Sequence, residues 1–292
     1  MVNIGIIGKG FVGNAVAYGF SSQSGFEHGN IRIYDKNPKL SQNSLEEVVN
    51  GSEFIFISVP TPSNKDGSVH LGILDDVLLN ISKSKDSNAS PIILIRSTIV
   101  PGSSRKFQDK YQDLRIVFNP EFLTERSANS DFISQNRYIL GGNQEDCILV
   151  ADLYRKRFGD DIAIILTDYE SAELIKYMNN TFLATKVSFM NEMYLACKKI
   201  GANWDDCIEG FIRDERIGNS HVNVPGPDGK MGFGGSCFPK DIQAFIKFAK
   251  DLGINPNVLI GSWNTNLEVR KERDWELLVG RSVLNEDTLD RF

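Results

Sequence analysis

The feature that most constrains the fold is a glycine-rich turn near the N-terminus, GKGFVG, which spans residues 8–13. It directly follows the apolar run Val2–Ile7 and opens a helical segment, so the order is strand, turn, helix. In that setting Gly8 permits a tight turn, Gly10 lets the backbone approach a pyrophosphate, and Gly13 lets helix and strand pack closely. The helix N-terminus adds N–H groups and a positive dipole. The turn therefore predicts a dinucleotide-binding α/β unit.

An acidic residue, Asp35, ends the next predicted strand. A carboxylate there accepts both ribose hydroxyls and repels a 2′-phosphate, so NAD is the predicted cofactor. The distance from the first glycine exceeds the usual spacing of about 20 residues, which we attribute to the insertion around Ser21–Asn30. Without that acid, the glycines would indicate only a tight turn. The predicted cofactor contacts in this region are Gly8, Gly10, Phe11, Val12, Gly13 and Asp35.

The first half of the chain alternates short β-branched runs with helical stretches, and several of these runs are continuously apolar. Such runs are typical of strands in a parallel sheet that helices cover on both faces. We predict a Rossmann-like, doubly wound parallel sheet of the α/β class. The candidate strands are Val2–Ile7, Ile31–Tyr34, Phe54–Val59, Ile92–Ile95, Arg115–Phe118, Tyr138–Leu140 and Ile162–Leu166.

The character of the chain changes after about Asp168. The segment Tyr169–Ile200 contains no proline and no glycine, and its apolar residues recur at roughly helical spacing. A helix of this length is well above the globular average and is expected to link domains, to form a dimer interface, or both. We predict an NAD-binding domain over residues 1–168, a long central helix over 169–200, and a small all-helical domain over 201–292.

The predicted helical domain has two clear helices, over Asn203–Gly210 and Pro239–Leu252. A Gly/Pro-rich loop, Val224–Ser236, lies between them. The segment Val258–Leu284 has room for one or two further helices. After about Leu284 the chain is polar and is expected to fray.

Composition argues against several classes of function. The net charge of −6 and the lack of a dense Lys/Arg stripe argue against a nucleic-acid partner. No apolar run approaches the roughly 20 residues of a membrane helix, and no export signal precedes the first strand, so a cytoplasmic protein is expected. The three histidines and four cysteines show no HExxH or CxxC spacing. We therefore predict no metal site and no disulfide framework.

The segment 232–241, GFGGSCFPKD, carries the most chemical information. Cys237 lies in a glycine-rich loop directly before a helix that has Pro239 in its first turn. That position favours the thiolate through the helix dipole, and Lys240 adds positive charge. The glycines leave room for a substrate beside the sulfur, so Cys237 is the candidate nucleophile. The other cysteines are interpreted as small buried hydrophobes: Cys147, Cys197 and Cys207.

This segment resembles GFGGxCxPKD, the signature of the UDP-glucose/GDP-mannose dehydrogenase family. The resemblance covers nearly the whole chain and includes further motifs in the same order. These motifs are VPTP at 59–62, RST at 96–98, NPEFL at 119–123, the segment Glu173–Asn180, and DERIG at 214–218. Several specific motifs in one order identify the chain as a member of that family.

The resemblance implies an NAD-dependent, four-electron oxidation of a nucleotide sugar, with UDP-glucose as the default substrate. A primary alcohol gives a hydride to NAD, and the cysteine thiolate adds to the resulting aldehyde to form a thiohemiacetal. A second NAD takes another hydride and leaves a thioester, which water hydrolyses. This chemistry needs a thiol to trap the aldehyde, a donor to stabilise an oxyanion and a carboxylate to activate water. UDP-N-acetyl sugars and GDP-mannose use the same motif, so the sugar stays open.

The resemblance also implies roles for matched residues. Lys176 and Asn180, four residues apart on one helix face, would serve the oxyanion and the proton transfer. Asp241 would orient a water together with Lys176, and Glu121 would be the base of thioester hydrolysis. Thr98 would hold water or lie on the nicotinamide side. The implied cofactor contacts are Val59, Thr61, Ser97 and Glu125. The implied substrate contacts are Glu121, Phe122, Leu123, Lys176, Asn180, Phe233, Gly234 and Arg216, the last reaching across the interface of a homodimer.

The chain departs from the family in length. Family members usually carry a third domain that binds the nucleotide, whereas about 55 residues follow Cys237 here, so a short form without that domain is expected. The nucleotide would then be held by residues around Val222–Lys230, by the dimer partner, or weakly. The basic residue that often follows the ribose-binding acid is Leu40 here, so Lys36 or Lys39 is expected to substitute for it.

Two other functions stay open at this point. A single-step dehydrogenase of the β-hydroxyacid type would share the cofactor domain and the helix lysine but would need no thiol. A non-catalytic NAD-binding module would bind the cofactor and turn over no sugar. Taken alone, Lys176 would be a solvated lysine on an amphipathic helix, and Glu121 and Glu125 would be surface acids. The combination of motifs favours the enzyme.

Overall fold

The computed structural model describes residues 1–284 of the chain. The polar stretch after Leu284, which was expected to fray, lies outside the described residues. The chain folds into two compact units. The first contains Met1–Thr61 and Leu71–Lys176, and the second contains Pro62–His70 and the described residues from Tyr177 to Leu284. A short excursion between two parts of the first unit therefore folds with the second.

A seven-stranded sheet forms the centre of the first unit. Its strands are β1 (Val2–Ile7), β2 (Gly29–Tyr34), β3 (Phe54–Ile57), β4 (Ile92–Ile95), β5 (Arg115–Phe118), β6 (Arg137–Gly142) and β7 (Ala163–Thr167). In space they follow the order β2-β1-β3-β4-β5-β6-β7, and each neighbouring pair is parallel except β5 and β6. The predicted Rossmann-like sheet is confirmed, with one difference: β6 and β7 run opposite to the other five strands.

The antiparallel pair determines where the connection after β5 lies. Between parallel neighbours the chain has to return to the opposite edge of the sheet, whereas β6 begins at the edge where β5 ends. The connection from Phe118 to Arg137 therefore starts and ends at the carboxyl edge of β1–β5. This is the edge at which open α/β sheets bind their ligands.

Helices cover both faces of the sheet, as continuously apolar strands require. Successive residues of β1 point to opposite faces: Ile6 packs in one buried apolar cluster and Ile7 in the other. The first-unit helices are α1 (Phe11–Gly19), α2 (Leu45–Gly51), α3 (Gly72–Ser84), α4 (Ser103–Lys110), α5 (Ala128–Ser134) and α6 (Gln144–Phe158).

The predicted strand boundaries hold to within a few residues, with one informative difference. The strand predicted over Phe54–Val59 ends at Ile57. The reason is local: the Val59 N–H donates to the Ser97 hydroxyl at 3.1 Å instead of extending the ladder. A side-chain acceptor from the neighbouring loop thus ends this strand.

The long helix predicted over Tyr169–Ile200 is present with the same bounds, as α7. The Ser171 N–H donates to Asp168 Oδ1 at 2.7 Å, an interaction of the N-cap type. Lys198 and Lys199 lie in the last turn. Positive charge at the C-terminal end of a helix interacts favourably with the helix dipole. None of the helices within residues 1–284 is both long enough and apolar enough to cross a membrane.

The second unit is helical apart from short bridges in its loops. It contains most of α7, together with α8 (Trp204–Ile212), α9 (Phe238–Asp251) and α10 (Asn257–Val269). Phe233 and Ile242 belong to one small apolar cluster, and Met190 and Val222 belong to another. The segment Val258–Leu284, predicted to contain one or two helices, holds most of α10 and a short 3₁₀ helix, Asp274–Leu277.

The excursion Pro62–His70 pairs with the last described residues of the chain. Ser63 forms bridges with Val69 and with Val283. Its N–H donates to the Ser282 carbonyl oxygen at 2.9 Å, and its own carbonyl oxygen accepts the Leu284 N–H at 3.0 Å. The second unit is therefore built from segments that are far apart in sequence.

Candidate functional site

The glycine-rich turn of the first unit has the shape of a phosphate cradle. Gly8, directly after β1, has a φ of +90°, and a Cβ there would lie 2.6 Å from the Ser58 carbonyl oxygen. A Cβ on Gly13 would lie 1.9 Å from the Gly8 carbonyl oxygen, so only glycine lets α1 pack this closely. Among the described residues, no atom lies within 4 Å of a Cβ on Gly10. The middle glycine is therefore open to a ligand.

Asp35 lies beside this turn. Its Oδ2 accepts the Lys9 N–H at 2.7 Å, and its Oδ1 accepts the Asn37 N–H at 2.8 Å. The N-cap residue of α1 is Gly10, which has no side chain to cap the helix, and the first turn holds no acidic residue. A glycine at the helix N-terminus and an adjacent carboxylate fit the pyrophosphate and ribose of NAD.

Two hydroxyl side chains join the loops that follow β3 and β4. The Ser97 hydroxyl donates to the Val59 carbonyl oxygen at 2.7 Å and accepts the Val59 N–H. The Thr61 hydroxyl donates to the Thr98 carbonyl oxygen at 2.7 Å. Thr61 and Ser97 are buried, and Thr98 is half-buried. These residues therefore fix the shape of the two loops, and their direct contact with the cofactor stays a prediction.

Glu121 and Lys176 form a buried ion pair. Lys176 Nζ lies 2.8 Å from Glu121 Oε1 and also donates to the Glu121 carbonyl oxygen. Glu121 Oε2 accepts the Leu123 N–H at 2.8 Å, and Nζ lies 5.3 Å from the centroid of the Phe122 ring. The interpretations of Lys176 as a solvated lysine and of Glu121 as a surface acid are therefore wrong, because burial of both side chains excludes them. An ammonium and a carboxylate in such contact can exchange a proton.

Glu125, the remaining predicted cofactor contact, lies in the short helix Glu125–Ser127 and is exposed. Its exposure agrees with the interpretation as a surface acid. A contact with the cofactor at this position stays a prediction.

Arg96 and Asn119 hold the start of the connection that carries Glu121. Arg96 is buried, and its Nη1 donates to Asn119 Oδ1 at 2.6 Å. The Tyr154 hydroxyl donates to the same oxygen at 2.6 Å, and Asn119 Nδ2 donates to the Ile139 carbonyl oxygen at 3.0 Å. Both residues lie in the motifs quoted above, yet the sequence predicted no role for them. A buried arginine that bonds to an amide has no signature in the sequence.

Glu173 is a third buried residue without a predicted role. Its Oε2 accepts the Gly102 N–H at 2.6 Å, and its Oε1 accepts the Ser104 N–H at 2.7 Å, at the start of α4. Burial raises the pKa of Glu173 to about 7, and the hydrogen bonds oppose this rise. The carboxylate ties the first turns of α7, and with them Lys176, to α4.

Cys237 lies at the start of α9 in the second unit and is half-buried. The Asp241 N–H donates to its carbonyl oxygen at 2.8 Å, which places Cys237 in the cap position of the helix. Cys147 and Cys197 are buried as predicted, and burial raises the pKa of the Cys147 thiol to about 12. The prediction for Cys207 is wrong: this cysteine is exposed, because α8 buries none of its residues.

Asp241 is the centre of a buried polar chain in the second unit. Its Oδ2 accepts the Asn180 Nδ2 at 2.6 Å, and its Oδ1 accepts the Lys240 Nζ at 2.6 Å. All three side chains are buried. The Lys240 charge that was expected to favour the Cys237 thiolate is therefore balanced by a carboxylate in direct contact. The Asn180 amide is held in one orientation by the same contact.

The loop before Cys237 is held by side chains rather than by a strand ladder. The Gly232 N–H donates to Asn191 Oδ1 at 3.1 Å. Asn266 accepts the Phe233 N–H at 2.7 Å and donates to the Phe233 carbonyl oxygen at 3.0 Å. Both asparagines are buried. Sequence reasoning missed them, because an asparagine on a helix usually faces water, and only the fold shows these two turned inward.

Arg216 faces solvent in the loop after α8. Its side chain is 86% exposed, and Nη2 lies 2.5 Å from Asp214 Oδ2. This contact raises the pKa of Arg216 and lowers that of Asp214. The predicted contact with substrate across a dimer interface stays a prediction.

The loop around Val222–Lys230 is closed on itself. The Gly226 N–H donates to the Lys230 carbonyl oxygen at 2.8 Å. Asp228 Oδ2 accepts Nη1 of the buried Arg270 at 2.7 Å. Burial opposes ionisation of Asp228, but the hydrogen bonds from Arg270 and from the Lys230 N–H hold its pKa below the usual range. Among residues 1–284, no group of three or more His, Cys, Asp and Glu residues could hold a metal ion.

Comparison with known proteins adds to this geometry. Residues 27–158 match the UDP-glucose/GDP-mannose dehydrogenase family, NAD binding domain, and residues 170–267 match the central domain of the same family. The first match agrees with the cofactor predicted from the glycine-rich turn and Asp35.

Individual relatives match over most of the chain. A UDP-glucose 6-dehydrogenase of Rickettsia typhi is 33% identical over 88% of this chain, and the chain spans 65% of its length. The UDP-glucose 6-dehydrogenase AglM of Haloferax volcanii is 29% identical over 97% of this chain and 74% of its own length. The structure of a UDP-glucose dehydrogenase from Pyrobaculum islandicum has a TM-score of 0.81 and 28% identity, over 92% of this chain and 68% of that one.

Proposed function

The chain belongs to the UDP-glucose/GDP-mannose dehydrogenase family, and we propose that it oxidises the primary alcohol of a nucleotide sugar to a carboxylate in two NAD-dependent steps. UDP-glucose is the proposed substrate, since relatives bear the name UDP-glucose 6-dehydrogenase. A cytoplasmic location is part of the proposal, because the chemistry needs a reduced Cys237.

The observation that carries the proposal is the setting of Cys237. The thiol stands at the N-terminal end of α9, in a loop whose backbone is clamped by buried asparagines. A helix N-terminus favours the thiolate over the thiol. A fixed backbone lets that thiolate attack a carbonyl carbon from a constant direction. These are the requirements of a covalent nucleophile.

The residues of the second unit support addition of the thiolate to an aldehyde. The addition forms a bond between Cys237 Sγ and the carbonyl carbon, and the carbonyl oxygen takes up the electron pair. The Asn180 amide, oriented by Asp241, is the proposed donor to that oxygen. NAD, when bound, accepts the hydride in each oxidation step.

The buried pair of the first unit supplies the acid–base chemistry. Lys176, held against Glu121, is the proposed group that gives its proton to that carboxylate and then, as the neutral amine, takes the proton from the alcohol and returns it to the oxyanion. Glu121 is the proposed base for the water that hydrolyses the thioester. A carboxylate has about four acceptor positions, so its contacts with Lys176 and with the Leu123 N–H leave capacity for a water.

Counting NADH against limiting UDP-glucose tests the proposal. We expect the protein to form two NADH per sugar, and we expect Cys237→Ser to lose this activity. Cys207→Ser is the matched control, because Cys207 is an exposed cysteine outside the clamped loop. It should behave like the unmodified protein.

The other outcomes identify the alternatives. One NADH per sugar, with Cys237→Ser still active, would indicate a single-step dehydrogenase. NAD binding without NADH formation from UDP-glucose, UDP-N-acetyl sugars or GDP-mannose would indicate a non-catalytic module.

We also propose that two copies of the chain associate through α7. Met178, Phe182, Phe189 and Met193 form an apolar stripe at helical spacing and are 42–66% exposed. Exposed apolar side chains on one helix face are typical of an interaction site, and a helix that presents the same stripe in each copy forms a self-complementary C2 contact. Sedimentation should give a dimer for the unmodified chain and a monomer for Phe182→Glu. A monomeric unmodified chain would contradict the proposal.

A further inference from the structure

The glycine-rich loop before Cys237 has a third side-chain contact, at Gly235, besides a long one in which the Ser282 hydroxyl donates to the Ser236 carbonyl oxygen at 3.4 Å. The Gly235 N–H donates to Asp274 Oδ2 at 3.1 Å. Asp274 begins the short helix Asp274–Leu277, which follows α10. The residue therefore reaches back from the end of the second unit to the peptide that lies two residues before Cys237.

The contact is close as well as polar. A Cβ on Gly234 would lie 2.3 Å from Asp274 Oδ1 and 2.3 Å from Arg270 Nη2. The carboxylate and the guanidinium thus pack directly against the loop backbone, and a side chain at position 234 would displace them. A shift of Asp274 would be transmitted to the loop.

Arg270 fixes the position of Asp274. Its Nη2 lies 3.2 Å from Asp274 Oδ2 and its Nη1 lies 2.7 Å from Asp228 Oδ2. Its Nε donates to the Glu272 carbonyl oxygen at 3.2 Å. The side chain is 2% exposed, so one buried guanidinium bridges two carboxylates from different segments. A planar fork holds such a geometry, whereas a lysine cannot.

The neighbouring ion pair shows that this arrangement is specific. Arg273 and Glu276 lie 3.5 Å apart in the same segment, with about half of each side chain exposed. Such an exposed pair contributes little and fixes no backbone. Of these two pairs, Arg270 and Asp274 are the one whose side chains contact the loop before Cys237.

We propose that Asp274, held in place by Arg270, is a positioning residue for the Cys237 nucleophile, and this proposal rests on the function proposed above. Asp274 fixes the peptide before the thiol, and the hydrogen bond from the Asp241 N–H fixes the peptide after it. With the backbone held on both sides, the thiol keeps its alignment with the N-terminus of α9. Asp228 extends the same arrangement to the loop around Val222–Lys230.

Alkylation of Cys237 by iodoacetamide tests the proposal without any need for turnover. The full-length protein is alkylated at a series of pH values, and peptide mass spectrometry gives the rate for each cysteine. Cys207 is exposed and serves as the internal reference. The variants are Asp274→Ala, Asp274→Asn and the matched control Glu276→Ala, an exposed acid of the same short helix.

The direction in which the pH midpoint of Cys237 alkylation shifts shows whether Asp274 acts by positioning the loop or by its charge. In Asp274→Ala the Gly235 N–H loses its acceptor, so we expect the pH midpoint of Cys237 alkylation to rise by about half a unit as helix alignment is lost. Asp274→Asn keeps an acceptor oxygen and should stay near the unmodified midpoint. Removal of a negative charge alone would lower the midpoint in both variants, and that result would overturn the proposal. Equal midpoints in all variants would also overturn it.

Turnover provides the second readout. We expect Asp274→Ala to lower kcat by about tenfold or more and to leave the KM for NAD within twofold, because the cradle for the cofactor lies in the first unit. If Asp274→Ala does not fold, Arg270→Lys replaces it, with the same expected rise of the midpoint. A protein that forms no NADH from any sugar would refute the proposed function, whereas the alkylation series would still decide the role of Asp274.

Discussion

Two glycine-rich segments carry the proposed chemistry of this protein, and they are held in different ways. The turn at residues 8–13 is fixed by its own backbone: a Cβ on Gly8 or Gly13 would collide with main-chain carbonyl oxygens of nearby residues. The loop at residues 232–236 is fixed by side chains from α7, α10 and the segment after α10. The first segment depends on local geometry, and the second depends on the assembly of its whole unit.

The difference has a physical origin. The turn lies at the end of a sheet strand, where ladder hydrogen bonds and helix packing already set the chain direction. The cysteine loop has no ladder, so its buried N–H groups require other acceptors. Asparagine and aspartate side chains provide them. The comparison therefore predicts that the turn is disturbed by substitutions of its own residues. The loop should also be disturbed by substitutions of residues that are far away in sequence.

The largest expected effect is at the proposed nucleophile, Cys237. Cys237→Ser should lower NADH formation from UDP-glucose by about a thousandfold, because a hydroxyl at the same position is a far weaker nucleophile. The melting temperature should change little. Steady-state kinetics and thermal unfolding on the same sample measure both quantities. Full activity in the variant would show that the loop before Cys237 does not supply the nucleophile.

Two substitutions in the turn should have different effects, one on the packing of α1 and the other on ligand binding. Gly13→Ala places a Cβ against the Gly8 carbonyl oxygen and should lower the free energy of unfolding by about 3 kcal/mol. Gly10→Ala is the matched variant: its Cβ meets no described atom within 4 Å, so stability should hold while NAD binding weakens. Urea unfolding and NAD titration measure the two effects. Equal destabilisation by both variants would contradict the assigned roles.

The loop should respond to a substitution on a distant helix. Asn266→Ala leaves the Phe233 N–H and carbonyl oxygen without their partners, which should cost about 2 kcal/mol of stability and should also lower kcat. Asn264→Ala, an exposed asparagine on the same helix, is the control and should change neither. If the Asn266 variant kept a normal kcat, the loop would not depend on its clamps.

The smallest effect concerns a side-chain clamp in the first unit, Glu173. Burial raises its folded-state pKa to about 7 from the ordinary value of 4.5. The folded state then holds a proton that the unfolded state releases, so stability falls as the pH rises from 4.5 to 7. Between pH 5.5 and 6.5 we expect a loss of about 1 kcal/mol, which urea unfolding at each pH measures.

Glu173→Gln should remove this pH dependence, since an amide does not titrate. Glu170→Gln is the control, because the exposed Glu170 carboxylate bonds to Arg105 and its pKa is lowered rather than raised. An unchanged slope in Glu173→Gln would show that the carboxylate stays ionised at the start of α4.

Much of the fold follows from patterns along the sequence. The apolar runs placed the seven strands, and the absence of proline and glycine over Tyr169–Ile200 gave both ends of α7. The strand-turn-helix order around Gly8 gave the cradle. The family resemblance read from the motifs is confirmed by matches over residues 27–158 and 170–267. These features depend on neighbours in sequence, so the sequence specifies them directly.

The site was less predictable where burial decides the chemistry. Lys176 alone resembles a solvated lysine, and only the fold shows it buried against Glu121. Lys240 was expected to act on the thiol, but its charge is balanced by Asp241. The side chains that hold the loop are far from it in sequence: Asn191, Asn266 and Asp274. Their partners are set by tertiary packing, which a pattern along the chain does not contain.

The pairing of Ser63 with residues 282–284 has a consequence for the order in which the chain matures. Synthesis runs from the N-terminus, so the sheet of the first unit can be complete once residue 176 has emerged. The bridge between Ser63 of the excursion and Val283 can form only after Leu284 has left the ribosome. A chain released before that residue would contain Cys237 in a unit that lacks the hydrogen bonds between Ser63 and residues 282–284.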